Sequence, residues 1–130
     1  MSTAKPGLNH DDFQAIVQVA QCNNQRLGIT GLMLFNGFNF IQCIEGERTA
    51  ANDCLHRIGL DERHSGLTIL NHHEMSGRQF AQSHMAGHYL PAESNGEQAG
   101  LSQLLSNHAV SDATRTYFQS FRSLGISVRD

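Results

Sequence analysis

The side chains best suited to chemistry in this sequence are amides placed among apolar residues. Gln42 lies in the segment FNFIQCI (residues 38–44), with Phe40, Ile41 and Ile44 around it. A buried primary amide costs free energy unless its donors and acceptors find partners. Gln42 is therefore either a structural amide satisfied by the backbone or a group that hydrogen-bonds a ligand. The residue types alone favour the structural interpretation.

Other polar side chains have equally ordinary interpretations. Asn23 and Asn24 follow the first helical segment, and asparagine tolerates the left-handed backbone of a helix C-terminal cap and the turn after it. Arg57 lies beside the apolar stripe of a second helical segment, and Asp61 lies just past its end. From the residues alone, Arg57 and Asp61 could form a surface ion pair of little energetic value.

The chain has eight histidines, which raises the question of a metal site. Four of them could converge on adjacent strands: His72, His73, His84 and His88. Since no cysteine or carboxylate set accompanies them at ligand spacing, we expect no structural metal. We also expect no enzyme, because the sequence shows no nucleophile–base constellation and no NAD(P)H-binding glycine motif.

The composition is typical of one compact domain, with 130 residues of which 39% are hydrophobic and 16% charged. A net charge of −3 at pH 7 gives no reason to expect nucleic acid or an anionic membrane surface as a partner. No apolar run approaches membrane-spanning length. Cys22, Cys43 and Cys54 include no CxxC pair, which indicates reduced thiols in a cytoplasmic protein.

Two elements would position the amides. A first helix has apolar residues at helical spacing and Asn9 as its N-cap, and we expect it to end near Cys22. Residues 29–35 and 38–44 are predicted to be strands joined by Asn36-Gly37, a strong hairpin signal. A two-residue loop would place Gln42 opposite Gly31, where the missing side chain would leave space for a ligand.

The rest of the chain continues the same alternation. We predict a helix at 48–59, strands at 66–72 and about 83–88, and helices at about 98–106 and 112–123. The order α-β-β-α-β-β is a ferredoxin-like split βαβ pattern without its opening strand. That strand lies in the middle of such a sheet, so its loss would leave two neighbours with unpaired edges.

Three motifs in order carry a family resemblance: NNxxxGITGLMLFNGxNFIQCIEG, IGLDERHSGL and RQFAQSHM. They resemble the BLUF family, the blue-light sensors that bind flavin adenine dinucleotide (FAD). The resemblance covers residues 1–90, and residues 91–130 resemble the C-terminal helical extension of stand-alone members. It implies an α+β ferredoxin-like fold with two helices on one face of the sheet.

The resemblance also implies a site for the flavin ring between those two helices. Gln42 would face flavin N5 and O4, and Asn24 would bond the carbonyl and N3 edge of the ring with Asn23 close by. The other implied cofactor-binding residues are Ile29, Arg57, Ile58, Asp61, Arg63, His64 and Met85. Amides suit this edge because they carry both a donor and an acceptor. From its position in a strand alone, Met85 is an ordinary core residue.

The implied function is light sensing without turnover. Light would change the hydrogen bonds around Gln42, the change would reach the last strand near Met85, and the C-terminal helices would present it to a downstream signalling protein. We expect a homo-oligomer.

One family residue is missing from the sequence. A tyrosine on the first strand donates an electron and a proton in this family, and its place falls immediately before Met1. Tyr89 and Tyr117 lie outside that motif, and Ser83 stands where many members have tryptophan. We therefore expect a chain truncated at its start, with its first strand missing. The alternative is a degenerate, light-inactive interaction module. A third hypothesis is a small flavin- or metal-dependent enzyme.

Overall fold

The computed structural model describes residues 1–70, 77–89, 102–103, 105–106 and 109–122. Its elements in chain order are β1 (Ser2–Ala4), α1 (His10–Leu27), β2 (Thr30–Phe35), β3 (Asn39–Glu45), α2 (Arg48–Gly59), β4 (His64–Ser65), β5 (Ala86–Tyr89) and α3 (Asp112–Arg122). None of the helices in this part of the chain has the length and hydropathy needed to cross a bilayer.

The five strands form one mixed sheet in the order β4-β1-β3-β2-β5. β2 and β5 are parallel, and every other neighbouring pair is antiparallel. This arrangement confirms the α+β ferredoxin-like expectation, because β1 lies between β4 and β3 as the split βαβ pattern requires.

The expectation of a missing first strand is wrong for residues 2–4. Ser2 pairs with Phe40 of β3, and on its other side β1 pairs through Ala4 with His64 of β4. Ser2 and Ala4 are buried while Thr3 between them is exposed, which is the alternation of a strand with one covered face. Three residues are therefore enough to enter the middle of the sheet, although they cover only the first part of β3.

α1 is longer than expected, since it ends at Leu27 rather than near Cys22. Gly28 follows with φ 69°, and glycine takes this left-handed conformation without a steric penalty. Asn23 and Asn24 therefore lie in the last turns of the helix and do not form its cap. At the other end, Asn9 caps the helix as predicted.

The hairpin has a different register from the predicted one. Its loop is longer than two residues, and Phe35 pairs with Phe40, Met33 with Gln42 and Gly31 with Ile44. The two-residue shift keeps Gln42 on the expected face of the sheet but moves it away from Gly31. No gap exists at Gly31, because a Cβ there would lie 2.0 Å from the backbone oxygen of Cys43.

The later elements match the predictions unevenly. The helices at 48–59 and 112–123 are confirmed as Arg48–Gly59 and Asp112–Arg122. The strand predicted at 66–72 is wrong over 66–70, because β4 comprises only His64–Ser65. β5 is Ala86–Tyr89, three residues later than predicted at its start. Residues 71–72 and most of 98–106 lie outside the described residues.

Alternate residues of β2 contribute to two separate cores. On one face, Met33 and Phe35 pack with residues of α1, β3 and the chain just before β5: Phe13, Val17, Phe40 and Met85. On the opposite face, Leu32 and Leu34 pack with Ile41 and with residues of the later chain: Phe80, Leu105, Val110, Phe118 and Phe121. The sheet therefore separates α1 from α3.

Candidate cofactor site between two helices

A slot of about 180 Å³ lies between α1 and α2, over the face of the sheet that carries Gln42. Its wall on α1 includes Ile16, Ala20 and Asn24, and β3 contributes Phe40 and Gln42 to its floor. The remaining lining residues are Met1, Ser2, Val19, Asn23, Met33, Cys54, Arg57, Ile58, Asp61, Arg63, His64 and Leu67. An apolar slot with a few convergent polar groups is the usual form of a small-molecule site.

Eight of the ten predicted cofactor-binding residues line this slot: Asn23, Asn24, Gln42, Arg57, Ile58, Asp61, Arg63 and His64. Ile29 and Met85 do not line it, and both are fully buried. Ile29 packs close to Gly46, where a Cβ would lie 2.8 Å from its Cδ1. Met85 belongs to the core cluster under α1, so its packing is that of an ordinary core residue.

Asn24 is held in place by the chain that leads into β5. Its side chain is 3% exposed, and its Nδ2 donates to the carbonyl oxygen of His84 at 2.6 Å. One turn earlier, Gln21 Nε2 donates to the carbonyl oxygen of Met85 at 2.8 Å. These two bonds anchor the last turns of α1 to the chain before β5, and the first one fixes the plane of the Asn24 amide.

Gln42 is half-buried near the middle of β3, opposite Met33. Period-two alternation places its side chain on the face of Met33 and Phe40, with Ile41 and Cys43 on the other face. The slot floor thus carries one primary amide among apolar groups. In such surroundings the strength of a hydrogen bond depends strongly on which group is donor and which is acceptor.

Asp61 and Arg63 form the ionic part of the slot. Arg63 Nε donates to Asp61 Oδ1 at 2.9 Å, and Nη2 contacts Oδ2 at 2.5 Å. This hydrogen bonding lowers the pKa of the Asp61 carboxyl below its ordinary value and raises the pKa of Arg63. The salt-bridge partner of Asp61 in the structure is Arg63, and not Arg57 as in the ordinary interpretation of the sequence.

The two ring nitrogens of His64, which also lines the slot, have different surroundings. Its Nε2 lies 2.6 Å from the carbonyl oxygen of Ile58, and a carbonyl can only accept, so Nε2 carries the proton. Among the described residues, the buried Nδ1 has no hydrogen-bond partner. A buried acceptor without a partner is costly, which makes Nδ1 a candidate contact for a bound molecule.

Several lining residues were missed because sequence patterns assign them to a core. Ile16 and Ala20 lie one turn apart on α1, and Asn24 continues the same stripe one turn later. A polar residue ending an apolar stripe was the available signal. The contributions of Met1, Ser2 and Leu67 depend on the position of β1 in the sheet, which the local sequence does not reveal.

Comparisons with known proteins agree with this geometry. The family pattern described as "Sensors of blue-light using FAD" (BLUF) matches residues 1–86. The photoactivated adenylate cyclase subunit alpha of Euglena gracilis is 27% identical over 84 residues, which are 65% of this chain and 8% of that protein. Because the family pattern covers more than half of the chain, the chain belongs to the BLUF family.

Solved structures agree in fold. Klebsiella pneumoniae BlrP1, in a structure with FMN and cyclic diGMP, gives a TM-score of 0.79 at 29% identity, over 95% of this chain and 33% of that one. The dark-state structure of BlrB, a BLUF protein, gives 0.70 at 27% identity, over 89% of this chain and 84% of that one. The chain thus spans about a third of BlrP1 and most of BlrB.

The slot residues fit a flavin ring in their chemistry. The pyrimidine edge of a flavin alternates donors and acceptors, and the amides of Asn23, Asn24 and Gln42 carry both. Arg63 offers a planar set of donors, and His64 Nδ1 offers a buried acceptor. Members of the family bind flavin, and the chemistry of these slot residues is compatible with that ring.

Proposed function

We propose that this protein is an FAD-binding blue-light sensor that signals through the Gln42 amide to a partner protein, without enzymatic turnover. The observation that carries the proposal is the amide-lined slot of a BLUF chain, with Gln42 on its floor and Asn24 on its wall. A bound flavin supplies the absorption of blue light. The protein's own side chains and backbone carry out every later step.

Gln42 is the proposed switch. Rotation or tautomerisation of its amide exchanges a donor for an acceptor at one position. Since Met33 and Phe40 surround it on the slot floor, the exchange takes place in poorly hydrated surroundings, where it changes hydrogen-bond energies strongly. A small chemical change can in this way produce a lasting rearrangement.

Two contacts support a route from the slot to the last strand. Met33, the cross-strand neighbour of Gln42, packs in one cluster with Met85. The Asn24 amide is bonded directly to the backbone at His84. We propose residues 1–90 as the sensor and residues 91–130 as the helical extension that presents the signal, in a cytoplasmic homo-oligomer.

One observation favours a second candidate function, a flavin-binding module without photochemistry. The sequence has two tyrosines, and neither Tyr89 nor Tyr117 lines the slot. Tyr89 packs against His10 and Phe35 at the far end of α1, and Tyr117 Oη donates to the carbonyl oxygen of Leu70. Neither of these tyrosines is therefore placed to donate an electron to a flavin in the slot.

Absorption spectroscopy tests both candidates. Purified protein, reconstituted with FAD in the dark, should show a structured band near the blue region and a reversible red shift after blue illumination. Gln42→Ala should retain the band and lose the shift, and Gln103→Ala, at an exposed position, serves as the matched control. FAD binding without a shift would establish the light-inactive module, and a shift that persists in Gln42→Ala would defeat the assigned switch.

A further inference from the structure

Gly87 is the residue of β5 on which α1 rests. A Cβ at this position would lie 2.4 Å from Cγ2 and 3.0 Å from Cγ1 of Val17. Both distances are well below van der Waals contact, and a β-branched side chain in a helix has little freedom to rotate away. The missing side chain of Gly87 therefore lets α1 lie directly on the backbone of β5.

Two hydrogen bonds fix the following turns of α1 to the chain just before β5. Gln21 Nε2 donates to the carbonyl oxygen of Met85 at 2.8 Å, and Asn24 Nδ2 donates to that of His84 at 2.6 Å. Together with the contact at Gly87, they place three successive turns of the helix against one short stretch of chain. The position of α1 is therefore determined from the side of β5.

The slot-lining side chains of α1 lie on the same turns. Ile16 directly precedes Val17, Ala20 lies about one turn later, and both line the slot. Because backbone hydrogen bonds link consecutive turns of a helix, a shift at Val17 also displaces these two residues. The contact at Gly87 thus determines where one wall of the slot stands.

The direction of such a shift follows from the order of the strands. α1 packs over β5 and β2, α2 packs over β3, and β2 lies between β3 and β5 in the sheet. If α1 is pushed away from β5, it must either rise from the sheet or move towards α2. Either movement changes the width of the slot between the two helices.

Gly87 also lies level with the proposed switch residue. Met33 pairs with Gly87 on one side and with Gln42 on the other, so the three residues form one row across β5, β2 and β3. Two strand spacings, roughly 10 Å, separate the ends of this row. α1 lies over the Gly87 end and the slot over the Gln42 end. A displacement of α1 at Gly87 therefore changes the space above the Gln42 amide.

We propose that Gly87 is a specificity-determining residue of the slot. By admitting Val17 to the backbone of β5, it sets the distance between α1 and α2 to suit a planar fused-ring heterocycle, and a larger residue there would exclude this class of ligand. The inference rests on the proposed function, because the flavin ring is the planar heterocycle that this chain is proposed to bind.

Riboflavin binding to matched variants of the full chain tests the proposal. Gly87→Ala should raise the Kd at least tenfold, measured from the change in riboflavin fluorescence while circular dichroism confirms that each variant is folded. Gly77→Ala should change the Kd less than twofold, because a Cβ at Gly77 would meet nothing within 4 Å. A residue that only stabilises the fold would leave the Kd of the folded molecules unchanged.

A second substitution should restore binding to Gly87→Ala. Val17→Ala removes both Cγ atoms that a Cβ at position 87 would meet, and the Cβ of residue 17 would remain 3.3 Å away. The double variant should therefore bind riboflavin within threefold of the unsubstituted protein. Gln18→Ala, at an exposed position of α1 outside the slot, should not restore binding to Gly87→Ala.

NMR of the protein without ligand tests the contact itself, and strong nuclear Overhauser effects should join the Val17 methyl groups to the Gly87 Hα protons. Their absence would overturn the proposal, as would equal affinities of Gly87→Ala and the unsubstituted protein. If Gly87→Ala does not fold, a folded double variant with Val17→Ala that binds more than threefold more weakly would overturn it. If the unsubstituted protein binds no riboflavin, the proposed function fails and this inference with it, whereas binding that Gly87→Ala leaves unchanged overturns the inference alone.

Discussion

Two adjacent asparagines show how a single helical position changes the role of a residue. Asn24 is buried and bonded to the backbone at His84, while Asn23 is half-buried and its Oδ1 accepts from Arg26 Nη2 at 3.5 Å. Successive residues of a helix point about 100° apart, so only one of the pair can face the chain before β5. The two identical amides therefore differ in how much they contribute to the stability of the fold.

Substitution of these residues should reveal that difference in the protein without flavin. Asn24→Ala removes the donor to a buried carbonyl and should lower the free energy of unfolding by about 1–3 kcal/mol. Asn23→Ala is the matched control and should change it by less than about 0.5 kcal/mol. Urea denaturation measures both, and equal losses would contradict the assigned contact.

Cysteine reactivity provides a second test at the residue scale. Burial, reinforced by the negative charge of Glu45, raises the pKa of the Cys43 thiol to about 12. Burial also raises the pKa of Cys54, while Cys22 is exposed on α1. Because the thiolate is the reactive form, iodoacetamide at pH 8 should label Cys22 first and Cys43 only after unfolding. Rapid labelling of Cys43, identified by mass spectrometry, would contradict its burial in the folded protein.

At the scale of elements, the sequence predicted what depends on local patterns and missed what depends on pairing. The helix cap at Asn9 and the extent of α2 follow from local residue types, and both were predicted. The register at Gln42 depends on a loop stabilised by the Asn36 side chain, which accepts from two backbone N–H groups. β1 was missed because a three-residue strand has too little pattern of its own and depends on two neighbours for its hydrogen bonds.

The same difference between local patterns and tertiary packing applies to the slot. The eight predicted residues that line the slot were found through motifs of a known family, since their types alone favoured caps, ion pairs and core. Ile29 and Met85 were placed at the ring by the same motifs, yet their side chains pack within the protein. Motifs indicate proximity along an element, but the direction of each side chain is determined by packing.

The Glu45 side chain on β3 connects this strand to β2 and, through Gln79, to the start of α3. It accepts from Thr30 Oγ1 on β2 and from the backbone at Gln79 and Phe80, and Gln79 Oε1 in turn accepts from Ser111 N before α3. Removing this carboxylate leaves buried N–H donors without a partner. Glu45→Ala should therefore destabilise the protein by about 2–4 kcal/mol and speed amide exchange in α3.

Glu47→Ala is the control, because Glu47 is exposed and makes no side-chain cap bond to α2. It should change stability by less than about 0.5 kcal/mol and leave exchange in α3 as it is. Destabilisation by Glu45→Ala without faster exchange in α3 would show that the Gln79 connection does not hold the helix.

At the scale of the whole molecule, the two faces of the sheet have different roles. One face carries the slot under α1 and α2, and the other carries the core that holds α3. β3 takes part in both, with Gln42 towards the slot and Ile41 towards α3. Because Gln42 and Ile41 are adjacent in one strand, a displacement of the backbone at Gln42 would also move Ile41 on the other face.

Ligand-dependent stability tests the slot as a property of the folded molecule. Its volume of about 180 Å³ is below the roughly 300–1,000 Å³ of sites that bury a whole drug-sized ligand, so it suits the ring of FAD better than the complete cofactor. Riboflavin, FMN and FAD should all raise the melting temperature, since they share the ring. When the concentration of free ligand is a hundred times its Kd, each ligand should raise the free energy of unfolding by about 2.7 kcal/mol.

The phosphates should add affinity through the cationic side chains that line the slot, Arg57 and Arg63. Arg63 is half exposed, so salt should weaken FMN and FAD binding but not riboflavin binding. Arg63→Gln should reduce the advantage of FMN and FAD over riboflavin, while Arg26→Gln, which alters an exposed cation outside the slot, should preserve it. Stabilisation by adenosine diphosphate but not by riboflavin would mean that the slot recognises the nucleotide rather than the ring, and the proposed sensor would lose its chromophore site.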